Sequence, residues 1–88
     1  MALHKLEFKP SAERELRNLS KYLITRIGKA IESLAANPFP RQSAKLLGSE
    51  NAYRLRVGEY RVVYTVDNDA SCITIFRVRH RKNVYRKF

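Results

Sequence analysis

The stretch "AYRLRVGEYRVVYTV", residues 52–66, leaves this chain the fewest choices. Apolar residues alternate with arginines on both sides of Gly58-Glu59, and a Gly-X pair between two alternating runs marks a two-residue hairpin turn. Such a turn fixes the register. Val57 falls opposite Tyr60, Leu55 opposite Val62 and Tyr53 opposite Tyr64, so these six share one sheet face. Arg56 falls opposite Arg61, and Arg54 opposite Val63, on the other face. Two arginines directly opposed repel, and on their own they need only splay into water.

The next strand adds to the pattern. "DNDAS" (residues 67–71) reads as a turn and "CITIFRVRH" as the strand that follows it. With Phe76 and Val78 in the core, Arg77, Arg79 and Arg81 join the face of Arg54, Arg56 and Arg61. The same parity turns Ile73 and Ile75 outward, where the tail covers them or a bulge changes the parity. A merely basic, solvated face is the plain alternative. Six guanidiniums on one small sheet favour a polyphosphate-binding surface. The whole chain leans the same way: 18 Lys/Arg stand against eight Asp/Glu, a formal net charge of +10 on 88 residues. That field suits nucleic acid, an anionic membrane or an acidic protein partner.

Upstream, "LHKLEF" (residues 3–8) alternates and stops at Pro10, which predicts a first strand. Ser11 is expected as a helix N-cap, with Glu13 and Glu15 in the first turn where carboxylates complement the helix dipole. Leu16, Leu19, Leu23, Ile27, Ile31 and Leu34 recur at three and four, one apolar stripe broken into two helices near Asn18–Ser20 and ended by "NPFP". The stripe reads as core. The expected fold class is α+β: an N-terminal strand, two helices, then a three-stranded antiparallel meander, with the helices on one sheet face.

Length allows one domain over residues 1–88. The single Cys72 excludes an internal disulfide and a multi-cysteine metal site, and it reads as a small core residue. No signal-like or membrane-spanning apolar run is present, so a soluble, cytoplasmic protein is expected. His4 and His80 pair with no acid at a ligand spacing, and the three glycines form no phosphate loop. No metal or other cofactor is expected.

RNA cleavage is chemistry that this inventory can perform. The 2′-OH of RNA attacks the neighbouring phosphate, so the protein supplies alignment, charge neutralisation and proton transfer. Arginine forks hold two phosphate oxygens. Tyr85 near cations favours its phenolate form, and His80 is the other candidate proton group, although its parity puts it on the core face. The tail "RKNVYRKF" (residues 81–88) packs back on the sheet or forms a short helix, which brings Tyr85 near the arginines.

"AKLLG" before the meander, "YRLRVGEYRVVYTV" within it and "VRHRKNVYR" at its end, taken in this order, resemble the RelE/ParE superfamily of bacterial toxins. The resemblance spans nearly the whole chain. It implies a microbial-RNase-like RelE fold, mRNA cleavage in the ribosomal A site and neutralisation by a cognate acidic antitoxin. The implied partners are the antitoxin, the ribosome with its 16S rRNA, and mRNA, with no membrane and no small-molecule substrate. The family's basic pair matches Arg54 and Arg56, and its catalytic arginines match Arg61 and Arg81. Its tail tyrosine matches Tyr85, although the space from Arg81 to Tyr85 is shorter than in well-known RelE members. The expected site is therefore Arg61, Arg81, Tyr85 and His80 for catalysis, and Arg54, Arg56, Arg77, Arg79 and Lys82 for substrate. ParE-like relatives share the fold, act on DNA gyrase and lack the nuclease set, and a non-catalytic nucleic-acid-binding module needs only the charge.

Overall fold

The computed structural model describes residues 3–82. Strand β1 (Lys5–Phe8) leads into helix α1 (Pro10–Arg17) and helix α2 (Lys21–Ser33). Strands β2 (Ser43–Lys45), β3 (Ala52–Val57), β4 (Tyr60–Asp67) and β5 (Cys72–His80) follow. They form one five-stranded sheet in the order β1-β5-β4-β3-β2. The meander is as the sequence predicts, flanked by two strands: β1 pairs in parallel with β5, and the three-residue β2 pairs antiparallel with β3. None of the described helices is long and apolar enough to cross a membrane.

The helix boundaries follow local chemistry. Pro10 occupies the first turn of α1, where its missing N–H costs nothing. That shifts the N-cap to Lys9, which gives no side-chain cap. Ser11, expected as the cap, instead donates through Oγ to the Phe76 carbonyl, 3.3 Å away on β5. Asn18 closes α1, and Ser20 caps α2 by accepting from the Leu23 N–H at 3.3 Å. The break between the helices falls where the sequence places it.

Ile27 and Ile31 of α2, Leu34 at its C-cap and Ala12 of α1 pack on Leu55, Val62, Tyr64, Val66, Ile73, Ile75 and Val78. Burying a side chain of this size contributes roughly 1.5–3 kcal/mol, so this helix-covered face carries most of the stability. The β3–β4 register is the one dictated by the Gly58-Glu59 turn: Val57↔Tyr60, Leu55↔Val62, Tyr53↔Tyr64, Arg56↔Arg61 and Arg54↔Val63. Gly58 has φ of +60°, which glycine adopts without strain.

Strand β5 departs from the simple alternation. Its register with β4 shifts between Val63 and Tyr64, so that Val63 pairs with Arg77 but Tyr64 pairs with Ile75. Phe76 is the extra residue of this β-bulge. Ile73 and Ile75 are therefore fully buried in the core rather than turned outward. Phe76, expected in the core, is half-buried at the sheet edge beside α1. The bulge lets both halves of β5 keep apolar residues on the helix side while Arg77 and Arg79 stay on the other.

Candidate functional site on the open sheet face

The face away from the helices carries two rows across three strands. Arg56, Arg61 and Arg79 form one; Arg54, Val63 and Arg77 form the next. Val63 is only 1% exposed although it lies on this face. It sits between two arginines, whose aliphatic stems can cover an apolar neighbour while their charged ends stay in water.

The like charges are held by specific partners. Glu15 of α1 reaches the edge of β5, where its carboxylate accepts from Arg79 Nε at 2.5 Å, Arg77 at 3.4 Å and the Val78 N–H at 2.9 Å. The Glu15 side chain is only 20% exposed, and its two arginine partners are about a third exposed or less. The sequence suggests only a first-turn dipole partner for Glu15. Its fixing role emerges because α1 crosses the part of β5 that β1 leaves uncovered.

Arg61 folds back on the hairpin, donating to the carbonyls of Tyr60 (3.0 Å) and Gly58 (3.2 Å). Arg81 comes to the same turn: its N–H donates to Glu59 O at 2.8 Å, and its Nε lies 3.3 Å from the Glu59 carboxylate. That pair is more than half exposed, so it orients Arg81 rather than stabilising the fold. The turn of residues 58–60 thus anchors both arginines.

Beside it, Arg41, Gln42, Ser43, Ala44, Arg54, Arg56 and Arg61 line a shallow cleft of about 250 Å³ with no carboxylate in its wall. Arg41 was not singled out from the sequence, because it lies in the loop before the short β2, where no periodicity assigns it a face. Arg54, Arg56, Arg61, Arg77 and Arg79 all occupy the expected face, and Arg81 lies at its margin. Lys82 is exposed at the end of β5, and its N–H donates to His80 Nδ1 at 3.3 Å. His80 does not join the arginines. It pairs with Tyr60 on the opposite face, its ring edge-on to the tyrosine at 5.5 Å between centroids. Tyr85 lies outside the described residues.

Tyr64 anchors the floor under the site. Its hydroxyl donates to Pro38 O at 2.7 Å. Burial holds its phenol above the usual value of 10.0, opposed in part by a hydrogen bond with Ser43.

A cleft ringed by arginine forks is built for phosphate oxygens, because each planar guanidinium offers two parallel donors and a permanent charge. The fold that carries this cleft has known relatives. The family model of the ParE toxin of type II toxin-antitoxin systems matches residues 6–85. Toxin RelE3 of Methanocaldococcus jannaschii is 33% identical over 88 residues, covering 96% of this chain and 98% of that protein. In the archaeal RelE–RelB complex from Pyrococcus horikoshii, a chain 26% identical superposes with a TM-score of 0.81, covering 93% of this chain and 99% of that one. A chain of the RelBE2 toxin–antitoxin complex from Mycobacterium tuberculosis is 27% identical with a TM-score of 0.76, over 94% and 97% of the two chains. This chain belongs to the ParE toxin family of type II toxin-antitoxin systems, and it is a RelE-like toxin of the RelE/ParE superfamily.

Proposed function

We propose that this toxin is a ribosome-dependent endoribonuclease that cuts mRNA in the A site by 2′-OH attack. The observation that carries the reading is the row Arg56–Arg61–Arg79 beside a carboxylate-free cleft, with Arg81 brought to the same hairpin turn. The ribose 2′-oxygen forms a bond to the adjacent phosphorus and the bond to the 5′-oxygen breaks. The products are a 2′,3′-cyclic phosphate and a 5′-hydroxyl. Two protons move, one off the 2′-oxygen and one onto the leaving 5′-oxygen.

Arg61 and Arg81 neutralise the charge that develops on the phosphorane, where preorganised donors have their largest effect. Arg54, Arg56 and Lys82 hold neighbouring phosphates. Arg77 and Arg79, tied to Glu15, shape the field at the sheet edge. Tyr85 is assigned the proton transfers, and His80, on the opposite face, supports the hairpin through Tyr60 instead. Small acid–base resources of this kind suit a substrate aligned by the ribosome. The mechanism asks for no metal or cofactor.

The partner that restrains the toxin is an acidic amphipathic antitoxin segment, with carboxylates over the arginine face and apolar residues in a groove beside it. Its support is that the related P. horikoshii and M. tuberculosis chains were solved in toxin–antitoxin complexes. The name of the matching family model favours one other reading, a ParE-like toxin acting on DNA gyrase. Induction of the toxin without antitoxin, followed by mapping of mRNA 5′ ends and trapping of gyrase on DNA, separates the two. New in-frame 5′ ends within translated messages are expected. Stalled gyrase with intact mRNA overturns the nuclease reading.

A further inference from the structure

Cleavage by 2′-OH attack needs a proton acceptor that touches the reacting ribose. Two carboxylates and one imidazole stand beside the arginine rows among the described residues: Glu15, Glu59 and His80. His80 lies on the opposite face, against Tyr60. Glu15 is mostly buried and already accepts from Arg77, Arg79 and the Val78 N–H. Glu59 differs from both. Its side chain is 61% exposed, and among the described residues its one ion-pair partner is Arg81. We propose that Glu59 is the general base of the cleavage and takes the proton of the ribose 2′-hydroxyl. The inference rests on the nuclease reading and adds a catalytic residue to it.

The main chain sets Glu59 where such a base is needed. Tyr60 pairs with His80, and the ladder runs one step further, with the Arg81 N–H donating to Glu59 O at 2.8 Å. Glu59 and Arg81 therefore stand side by side at the margin of the open face, and Arg81 Nε lies 3.3 Å from Glu59 Oε2. Arg61 follows two residues along β4, about 7 Å away by strand rise. It is tied to the same turn through the carbonyls of Gly58 and Tyr60. A phosphate held between Arg61 and Arg81 thus meets the Glu59 carboxylate at its side.

The reacting 2′-oxygen comes to about 3–3.5 Å from the phosphorus before attack. A carboxylate paired with the arginine that holds the phosphate is then within reach of that hydroxyl. The ion pair engages Oε2, which leaves Oε1 for the proton. It also orients the carboxylate, as a third group orients the base in nucleophilic sites. The step balances. The O–H bond of the 2′-hydroxyl breaks, its proton goes to Glu59, and its electron pair forms the new bond to phosphorus. The bond from phosphorus to the 5′-oxygen breaks, and that oxygen takes the second proton, which narrows the role of Tyr85 to this transfer. Exchange with water returns Glu59 to its carboxylate.

Glu59→Gln keeps an oxygen that accepts from Arg81 and removes the base. Single-turnover cleavage of mRNA on programmed ribosomes should fall about 100-fold or more, while ribosome binding stays unchanged. Glu59→Asp should recover part of the loss. Cleavage by Glu59→Ala should be restored in part by added formate and further by acetate, the stronger base. Reorientation of Arg81 alone gives no such dependence on basicity. The ion pair is exposed, so the thermal midpoints of these variants should stay close to that of wild type. The alanine variant with added carboxylates decides the matter if Glu59→Gln does not fold.

Cutting by Glu59→Gln within about threefold of wild type overturns the proposal, because a lost general base costs far more. Faster cutting by that variant overturns it too, and marks Glu59 as a restraint on Arg81. Rescue of Glu59→Ala by neither carboxylate, or by both equally, does the same. The two readings fail separately. Wild type that leaves the message intact refutes the nuclease reading, whereas wild type and Glu59→Gln cutting alike remove only Glu59 from it.

Discussion

The two ends of the open sheet face share their strands and little else. Toward the 58–60 hairpin the face presents Arg54, Arg56, Arg61, Arg77 and Arg79, with the Glu15 carboxylate engaged by Arg77 and Arg79 at the β5 edge and Glu59 paired with Arg81 at the turn. At the far end the same β4–β5 pairing presents Thr65 opposite Thr74 and Asp67 opposite Cys72. A groove of about 480 Å³ there is lined by Lys5, Glu7, Asn51, Thr65, Asp67, Ala70, Cys72 and Thr74, one lysine against two carboxylates. A net charge of +10 spread evenly would have made the ends alike. The contrast shows that the basic charge is concentrated, and that the concentration has a structural cost met by dedicated partners such as Glu15 and the hairpin carbonyls.

The contrast is broken most severely at its strongest point. Arg61→Ala and Arg81→Ala should each lower single-turnover cleavage of ribosome-bound mRNA about 100- to 1,000-fold, the loss expected for one donor to a developing oxyanion. Thr74→Ala, at the far end, should stay within about threefold of wild type in the same assay. A comparable loss at both ends would mean that the open face acts as a whole, through fold or charge, rather than through a site.

Removing the compensating acid comes next. Glu15→Ala leaves Arg77 and Arg79 facing each other's field and the Val78 N–H without its acceptor. A destabilisation of about 1–3 kcal/mol is expected from urea unfolding. Thr74→Ala again supplies the control, with a shift of under about 0.5 kcal/mol.

Arg54→Ala and Arg56→Ala should act on binding more than on chemistry. Each removes one phosphate contact and should reduce the slope of log affinity against log salt by about one. An unchanged slope would remove these residues from the RNA path.

The smallest effect lies beneath the face. The folded pKa of Tyr64 is raised, mainly by burial. Its contribution is therefore fully present below the unfolded value near 10.0 and is lost as pH rises through the folded value, because the unfolded chain gives up the proton first. Stability should fall above about pH 10, and Tyr64→Phe should flatten that alkaline limb. The same substitution deletes the hydrogen bond to Pro38 O, costing about 0.5–1.5 kcal/mol at neutral pH.

Much of this arrangement was legible because a two-residue turn has no adjustable length. Once Gly58-Glu59 is read as a turn, every β3–β4 pair follows, including Arg56 opposite Arg61. The β5 bulge was harder, since alternation in "ITIFRVR" breaks only at the adjacent apolar pair Ile75-Phe76, and parity counted from Val78 puts the wrong isoleucine face outward. Glu15 stayed hidden because its partners lie 62 to 64 residues away, beyond any local pattern. Strand β2 was missed because three residues show no period. His80 lay on the core side by parity, and the Tyr60 contact gives that placement its reason.

The nature of the RNA ends tests the central claim most directly, that the hairpin end of the open face is a centre for RNA cleavage by 2′-OH attack. Purified toxin is added to programmed ribosomes and the ends of the cut message are identified chemically. A 2′,3′-cyclic phosphate with a 5′-hydroxyl, formed by wild type and lost with Arg61→Ala, is the predicted result. A 3′-hydroxyl with a 5′-phosphate, or an uncut message under conditions where the toxin arrests growth, would contradict it.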